Sequence, residues 1–131
     1  MKLKDVFNNT MLLKVPRYAK ISEVLELMKK NGLNFVLIVN DKEDIIGIAT
    51  RSIILRSLAN GISSNDPISK VMIKNIITVN GEEDLIDIFI FMMKNNIKHL
   101  LAINENGKAI GVVTLKDILS AINKECESSL E

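Results

Sequence analysis

Apolar residues recur along this chain at two alternating spacings, and the alternation sets out its elements. Ile21, Val24, Leu25 and Met28 follow i, i+3, i+4, i+7, which predicts an amphipathic helix over 20–31, with Gly32 placed to end it. "FVLIVN" and "IIGIAT" are short runs rich in β-branched residues, separated by the polar turn "DKED", and they predict a pair of strands. A further helix is predicted from Arg51 to Ala59, stopped by Asn60-Gly61. The same order returns later. "EEDLIDIFIFMMKNN" reads as a helix with Glu82 to Asp84 at the positive end of its dipole. "HLLAIN", "ENGK" and "AIGVVT" read as strand, turn and strand, and 115–123 as a closing helix.

The return is a register-true repeat. Shifting the chain by 64 residues lays Val15 on Val79, Met28 on Met92, Leu37 on Leu101, Asn40 on Asn104, Gly47 on Gly111 and Thr50 on Thr114, without a gap. Such a self-match marks a duplicated structural unit. Each unit reads as strand, helix, strand, strand, helix, so the expected class is α/β, more narrowly α+β. The expected division is a first unit at 1–60, a turn-rich linker at 61–69, a second unit at 70–124 and a frayed tail at 125–131. Two departures from the repeat matter. "GVVTLKD" carries Asp117 where "GIATRSI" carries Ile53. The second unit's first helix also has an extra apolar row, Ile86, Ile90 and Met93, where the first unit has Ser22, Glu26 and Lys29.

Composition narrows the function. Twenty isoleucines against four phenylalanines and one tyrosine make an aliphatic core and leave few rings for stacking bases. With 17 basic and 16 acidic residues interspersed, no basic face is apparent, and nucleic acid is not an expected partner. Cys126 is the single cysteine and His99 the single histidine, so no disulfide and no zinc set is expected. No apolar run approaches the ~20 residues of a membrane span, and the first 13 residues lack a signal peptide's apolar stretch. A cytoplasmic protein is expected. His99 has no second base, nucleophile or metal set beside it, so no catalytic residue is assigned and an enzyme is not expected.

The "GVVTLKD" junction has chemistry of its own. Thr114 ends a strand and caps the next helix, where its hydroxyl can bond helix amides or a phosphate. Asp117, one turn on, can accept from both hydroxyls of a ribose, and Gly111 lets backbone and ligand approach closely. The ordered set (an apolar helix row ending in Met, an apolar strand, a polar turn, then G-h-h-T-x-x-D), present twice over nearly the whole chain, resembles the cystathionine-β-synthase (CBS) domain pair, or Bateman module. The resemblance implies two β-α-β-β-α units packed around a pseudo-twofold axis, with two clefts for adenosine-containing ligands such as AMP, ADP, ATP or S-adenosylmethionine. It also implies a regulatory rather than catalytic role, an effector protein of unknown identity, and a homodimer formed through the helices.

Carried over residue by residue, one cleft would combine Thr114 and Asp117 with Leu33, Asn34, Phe35 and Leu37, and with Phe7 and Asn8 at its approach. The second would combine Thr50 with Val71, Met72, Ile97, Lys98, His99 and Leu101, and would be weaker because Ile53 cannot accept from a ribose. Arg51, Lys98 and Lys116 are candidates for balancing ligand phosphates. The alternative expectation is a structural or interaction module whose clefts bind no nucleotide.

Overall fold

The computed structural model describes residues 1–7 and 11–130, with side chains through 127. The first repeat folds as strand β1 (Lys14–Pro16), helix α1 (Ile21–Asn31), strands β2 (Phe35–Val39) and β3 (Ile45–Thr50), and helix α2 (Arg51–Ala59). The second gives β4 (Thr78–Asn80), α3 (Leu85–Asn95), β5 (His99–Ile103), β6 (Ala109–Thr114) and α4 (Leu115–Leu130). Among the described residues the architecture is α+β, with two three-stranded sheets and four α-helices. In each sheet the middle strand pairs parallel with the first and antiparallel with the third. The irregularities also repeat, between Ile38 and Val39 and between Ala102 and Ile103.

Local chemistry accounts for most boundaries. α1 ends at Gly32 with φ 63° and α3 at Asn96 with φ 52°, the left-handed conformation that glycine and asparagine tolerate best. Asp84 caps α3, its Oδ1 accepting from the Ile86 amide at 2.9 Å. Glu82 and Glu83 precede that helix instead of forming its first turn. At the C-terminus α4 continues to Leu130 rather than stopping near 123.

The chain divides into two compact units, one spanning Met11–Ile76 and the other joining the chain's first residues to everything from Ile77 onward. Their cores match position by position. Ile21, Val24, Met28, Val36, Ile38, Ala49 and Ile54 in one correspond to Leu85, Ile88, Met92, Leu100, Ala102, Val113 and Ile118 in the other. Each core is completed by a residue from outside its own repeat: Ile68 in the first and Leu3 in the second, both fully buried.

Those two residues lie in 3-10 helices, Leu3–Val6 and Ile68–Lys70, that precede each repeat and pack on the unit of the other. Their anchors are the same. Leu3 and Lys4 amides donate to Glu83 and Gly81 carbonyls, as Ile68 and Ser69 amides donate to Ala19 and Arg17. The Leu85 amide donates to Met1, as the Ile21 amide donates to Asp66. The second unit adds an ionic tie. Glu82 is bridged by Lys2 Nζ at 2.6 Å and Lys4 Nζ at 2.7 Å.

Hydrogen bonds from Lys2 and Lys4, then their charges, hold the Glu82 carboxyl down to about 2 from its usual 4.5, while Glu82 raises Lys4. Because folding lowers this carboxyl's pKa, the stability it contributes is present above about 4.5 and is lost as pH falls from there toward 2. Glu82→Gln is therefore expected to be less stable than the parent at neutral pH, with the gap closing across that acidic window and narrowing in salt. Chemical denaturation of both proteins at several pH values checks this. A gap that stays constant with pH means the ionic tie contributes nothing.

Candidate functional site

The strongest chemistry in either unit sits where the third strand runs into its last helix. Thr114 ends β6 and is paired across the sheet with His99. Its Oγ1 accepts from the Asp117 amide at 3.2 Å, and Asp117 Oδ2 accepts from the Thr114 amide at 3.0 Å. This is a reciprocal capping box, which satisfies two helix-end donors and fixes both side chains. Asp117 is exposed, and its Oδ1 has no protein donor among the described residues, so it is oriented yet retains acceptor capacity. The adjacent Leu115 amide donates to the Lys98 carbonyl at 3.2 Å, tying α4 to the start of β5.

The first unit builds half of the same device. Thr50 Oγ1 accepts from the Ile53 amide at 3.3 Å, and the Arg51 amide donates to the Asn34 carbonyl at 2.8 Å. Ile53 is a half-buried aliphatic that returns no bond to Thr50. Thr50 itself is 6% exposed, against a half-exposed Thr114, so the two hydroxyls differ in access as well as in partner.

Gly111 and Gly47 each lie against a side chain. A Cβ on Gly111 would lie 2.8 Å from Cδ1 and Cε1 of Phe7, and one on Gly47 would lie 2.5 Å from Sδ of Met72. The close approach these glycines permit is therefore to the side chain of each leading segment. Sequence reading missed this, together with the burial of Leu3 and the lysine bridge on Glu82. The available signal was faint: residues 1–7 match 66–72 at a shift of 65, one more than the repeat itself.

Within single units the structure brings together only part of each expected cleft. Thr114, Asp117 and Phe7 share one unit; Thr50, Val71 and Met72 share the other. Leu33, Asn34, Phe35 and Leu37 belong to the unit of Thr50, while Ile97, Lys98, His99 and Leu101 belong to that of Thr114. Asn8 lies outside the described residues. Leu33 and Asn34 line a cavity of about 380 Å³ with Lys29 and Arg51. Phe35 and Leu37 are buried, as are Leu101 and Val71; Ile97, Met72 and His99 are half-buried, and Lys98 and Lys116 are exposed. Among the described residues there is no group of three or more His, Cys, Asp or Glu that could hold a metal ion. No described helix is long and apolar enough to cross a membrane.

A duplicated β-α-β-β-α unit whose last strand enters its helix through a capping threonine defines a class of small α+β modules. The CBS domain matches this chain twice, at residues 3–60 and 68–124, and the chain belongs to that family. An uncharacterised protein of Methanopyrus kandleri is 32% identical over 99 residues, which are 74% of this chain and 50% of that protein. The chain thus spans about half the length of that curated relative. Among solved structures, the CBS domain pair of protein MJ0100 in complex with 5′-methylthioadenosine and S-adenosylmethionine aligns with a TM-score of 0.73 and 24% identity, over 95% of this chain and 98% of that one. The CBS domain protein PAE2072 of Pyrobaculum aerophilum, complexed with AMP, aligns with a TM-score of 0.72 and 20% identity, over 95% and 99%.

Proposed function

We propose that this chain is a cytoplasmic regulatory or sensor module that binds an adenosine-containing ligand (AMP, ADP, ATP or S-adenosylmethionine) and signals to an effector protein. The reading is carried by Asp117, an exposed carboxylate fixed by its capping box, with one oxygen that takes no donor among the described residues. Solved relatives with AMP, or with 5′-methylthioadenosine and S-adenosylmethionine, support the ligand class. Asp117 takes the ribose hydroxyls and Thr114 lies at the helix end. Leu33, Asn34, Phe35 and Leu37, with Phe7 and Asn8, are assigned to the same ligand on the resemblance. Thr50 with Val71, Met72, Ile97, Lys98, His99 and Leu101 make the weaker counterpart. No residue is assigned to catalysis; CBS-pair proteins are generally regulatory.

Thermal shift against AMP, ADP, ATP, S-adenosylmethionine and NADH tests this. A true ligand at 100 times its dissociation constant adds about 2.7 kcal/mol, enough for a clear rise in melting temperature. The second reading, an interaction module without nucleotide, is favoured by one observation: capping alone gives Asp117 a structural use. No shift with any of these ligands selects it.

We also infer a homodimer. Ile86, Ile90 and Met93 are 51%, 44% and 57% exposed, a row that the core of their own unit does not take up. Ile90→Glu is expected to halve the mass in solution measured by sedimentation. An unchanged mass removes this face from the assembly.

A further inference from the structure

The cavity of about 380 Å³ beside Leu33 and Asn34 lies wholly within the unit of residues 11–76. Backbone bonds build its walls. Gly32, with φ 63°, turns the chain off the end of α1, and the Leu33 amide donates to the Met28 carbonyl at 2.9 Å. That bond keeps Leu33 against the last turn of α1, where Lys29 lies. The Arg51 amide donates to the Asn34 carbonyl at 2.8 Å, which brings the first residue of α2 to the same place. Lys29 and Arg51 are the cations of this cavity, and among the described residues no acid lines it. Glu23 and Glu26, the acids of α1, line a separate depression with Lys30. Among the described residues neither Lys29 nor Arg51 takes part in an ion pair.

Helix electrostatics explain neither cation. α1 and α3 share a last-turn lysine at matching positions, Lys30 and Lys94, which complements the negative end of each dipole. Lys29 is additional, since the position 64 residues on is Met93. Arg51 is the opposite case. It opens α2, where the dipole is positive and a cation is repelled, and the first turn of α2 holds no acid. Its repeat counterpart is Leu115. An anion in the cavity gives both side chains a partner and offsets the repulsion at the start of α2. The space is of the size that small-molecule sites take, roughly 300–1,000 Å³. Leu33 and Met28 supply apolar wall, so the anion belongs to a ligand with an apolar body.

We propose that Lys29 and Arg51 form the subsite for the 5′ substituent of the adenosyl ligand and select a phosphate there over a sulfonium. The assignment rests on the reading above, in which Leu33 and Asn34 belong to that ligand's site, and it narrows the ligand to AMP, ADP or ATP. A phosphate accepts charge-assisted bonds from both side chains, whereas the sulfonium of S-adenosylmethionine is repelled by both and meets no acid in the cavity. Titration calorimetry with AMP, 5′-methylthioadenosine and S-adenosylmethionine tests this, because the three share an adenosine body and differ in charge at the 5′ position. AMP is expected to bind about tenfold more tightly than the neutral 5′-methylthioadenosine, and S-adenosylmethionine more weakly than AMP. Lys29→Gln and Arg51→Gln are each expected to weaken AMP binding about tenfold at low salt, and less as salt rises. Both should leave 5′-methylthioadenosine binding unchanged, and melting curves without ligand confirm that both fold. A parent protein that binds AMP no better than 5′-methylthioadenosine, or variants that bind AMP as the parent does, overturn the subsite while the adenosyl reading stands. If none of the three compounds binds, that reading fails and the subsite fails with it.

Discussion

Asp117→Ala is expected to weaken binding of the adenosyl ligand by about tenfold or more while the chain stays folded. Hydrogen bonds to a charged acceptor contribute about 1.5–3 kcal/mol each, and 1.4 kcal/mol is a factor of ten in affinity. The same substitution removes the acceptor for the Thr114 amide, and loss of a helix cap costs roughly 0.5–2 kcal/mol, well within what a domain tolerates. Affinity and stability must therefore be measured together. Titration calorimetry gives the first and denaturation the second. The partner experiment is Ile53→Asp. It leaves the Asp117 site untouched and supplies the first unit with the missing half of its capping box opposite Thr50, at the expense of a half-buried aliphatic side chain. One strong site per chain is expected in the parent. Two equal sites, or an Asp117→Ala protein that binds as tightly as the parent, would falsify the ribose assignment.

Leu3→Ala is expected to cost about 2–5 kcal/mol, as deletion of a buried leucine does where the surroundings cannot collapse into the space. Leu3 has no exposed surface and packs in the core with Leu85, Ile88, Leu100, Val113 and Ile118. A leucine three residues from the start of a chain would ordinarily be expected to matter little. Met11→Ala is the control: Met11 is 51% exposed, and its loss should change stability by less than about 0.5 kcal/mol. Hydrogen exchange adds a spatial test, since protection should fall first in α3, β5 and β6. Equal stabilities of Leu3→Ala and Met11→Ala would rule out the packed leading segment.

Much of the fold was legible because it is built from local signals repeated at one spacing. The α1 row of Ile21, Val24 and Met28 and the α3 row of Leu85, Ile88 and Met92 announce their own buried faces. Gly32 and Asn96 end those helices because few other residues accept a positive φ. The polar turns at 41–44 and 105–108 separate strands too apolar to be anything else. Of the candidate site, the threonines and Asp117 were legible from their spacing, since a capping residue and an acid three positions later meet on the first turn of a helix wherever it lies. The row Ile86, Ile90 and Met93 was legible as surplus, being more apolar than one buried face requires.

The sequence by itself determined the duplication, the apolar rows and strands of each unit and the capped junction, because rows and caps involve residues within a few turns of one another. Only the tertiary structure decided where the leading segments go. Leu3 and Ile68 each join the core of the unit that their own repeat does not form, and the one-residue difference in the shift that relates them hides the match. Only the structure gave Gly111 to the ring of Phe7, and Glu82 to Lys2 and Lys4, partners some 80 residues away along the chain. The physical reason is common to all three. Periodicity and capping report what a residue does to its own helix or strand, whereas a buried leucine, a missing Cβ and an ion pair take their meaning from whatever the folded chain places against them.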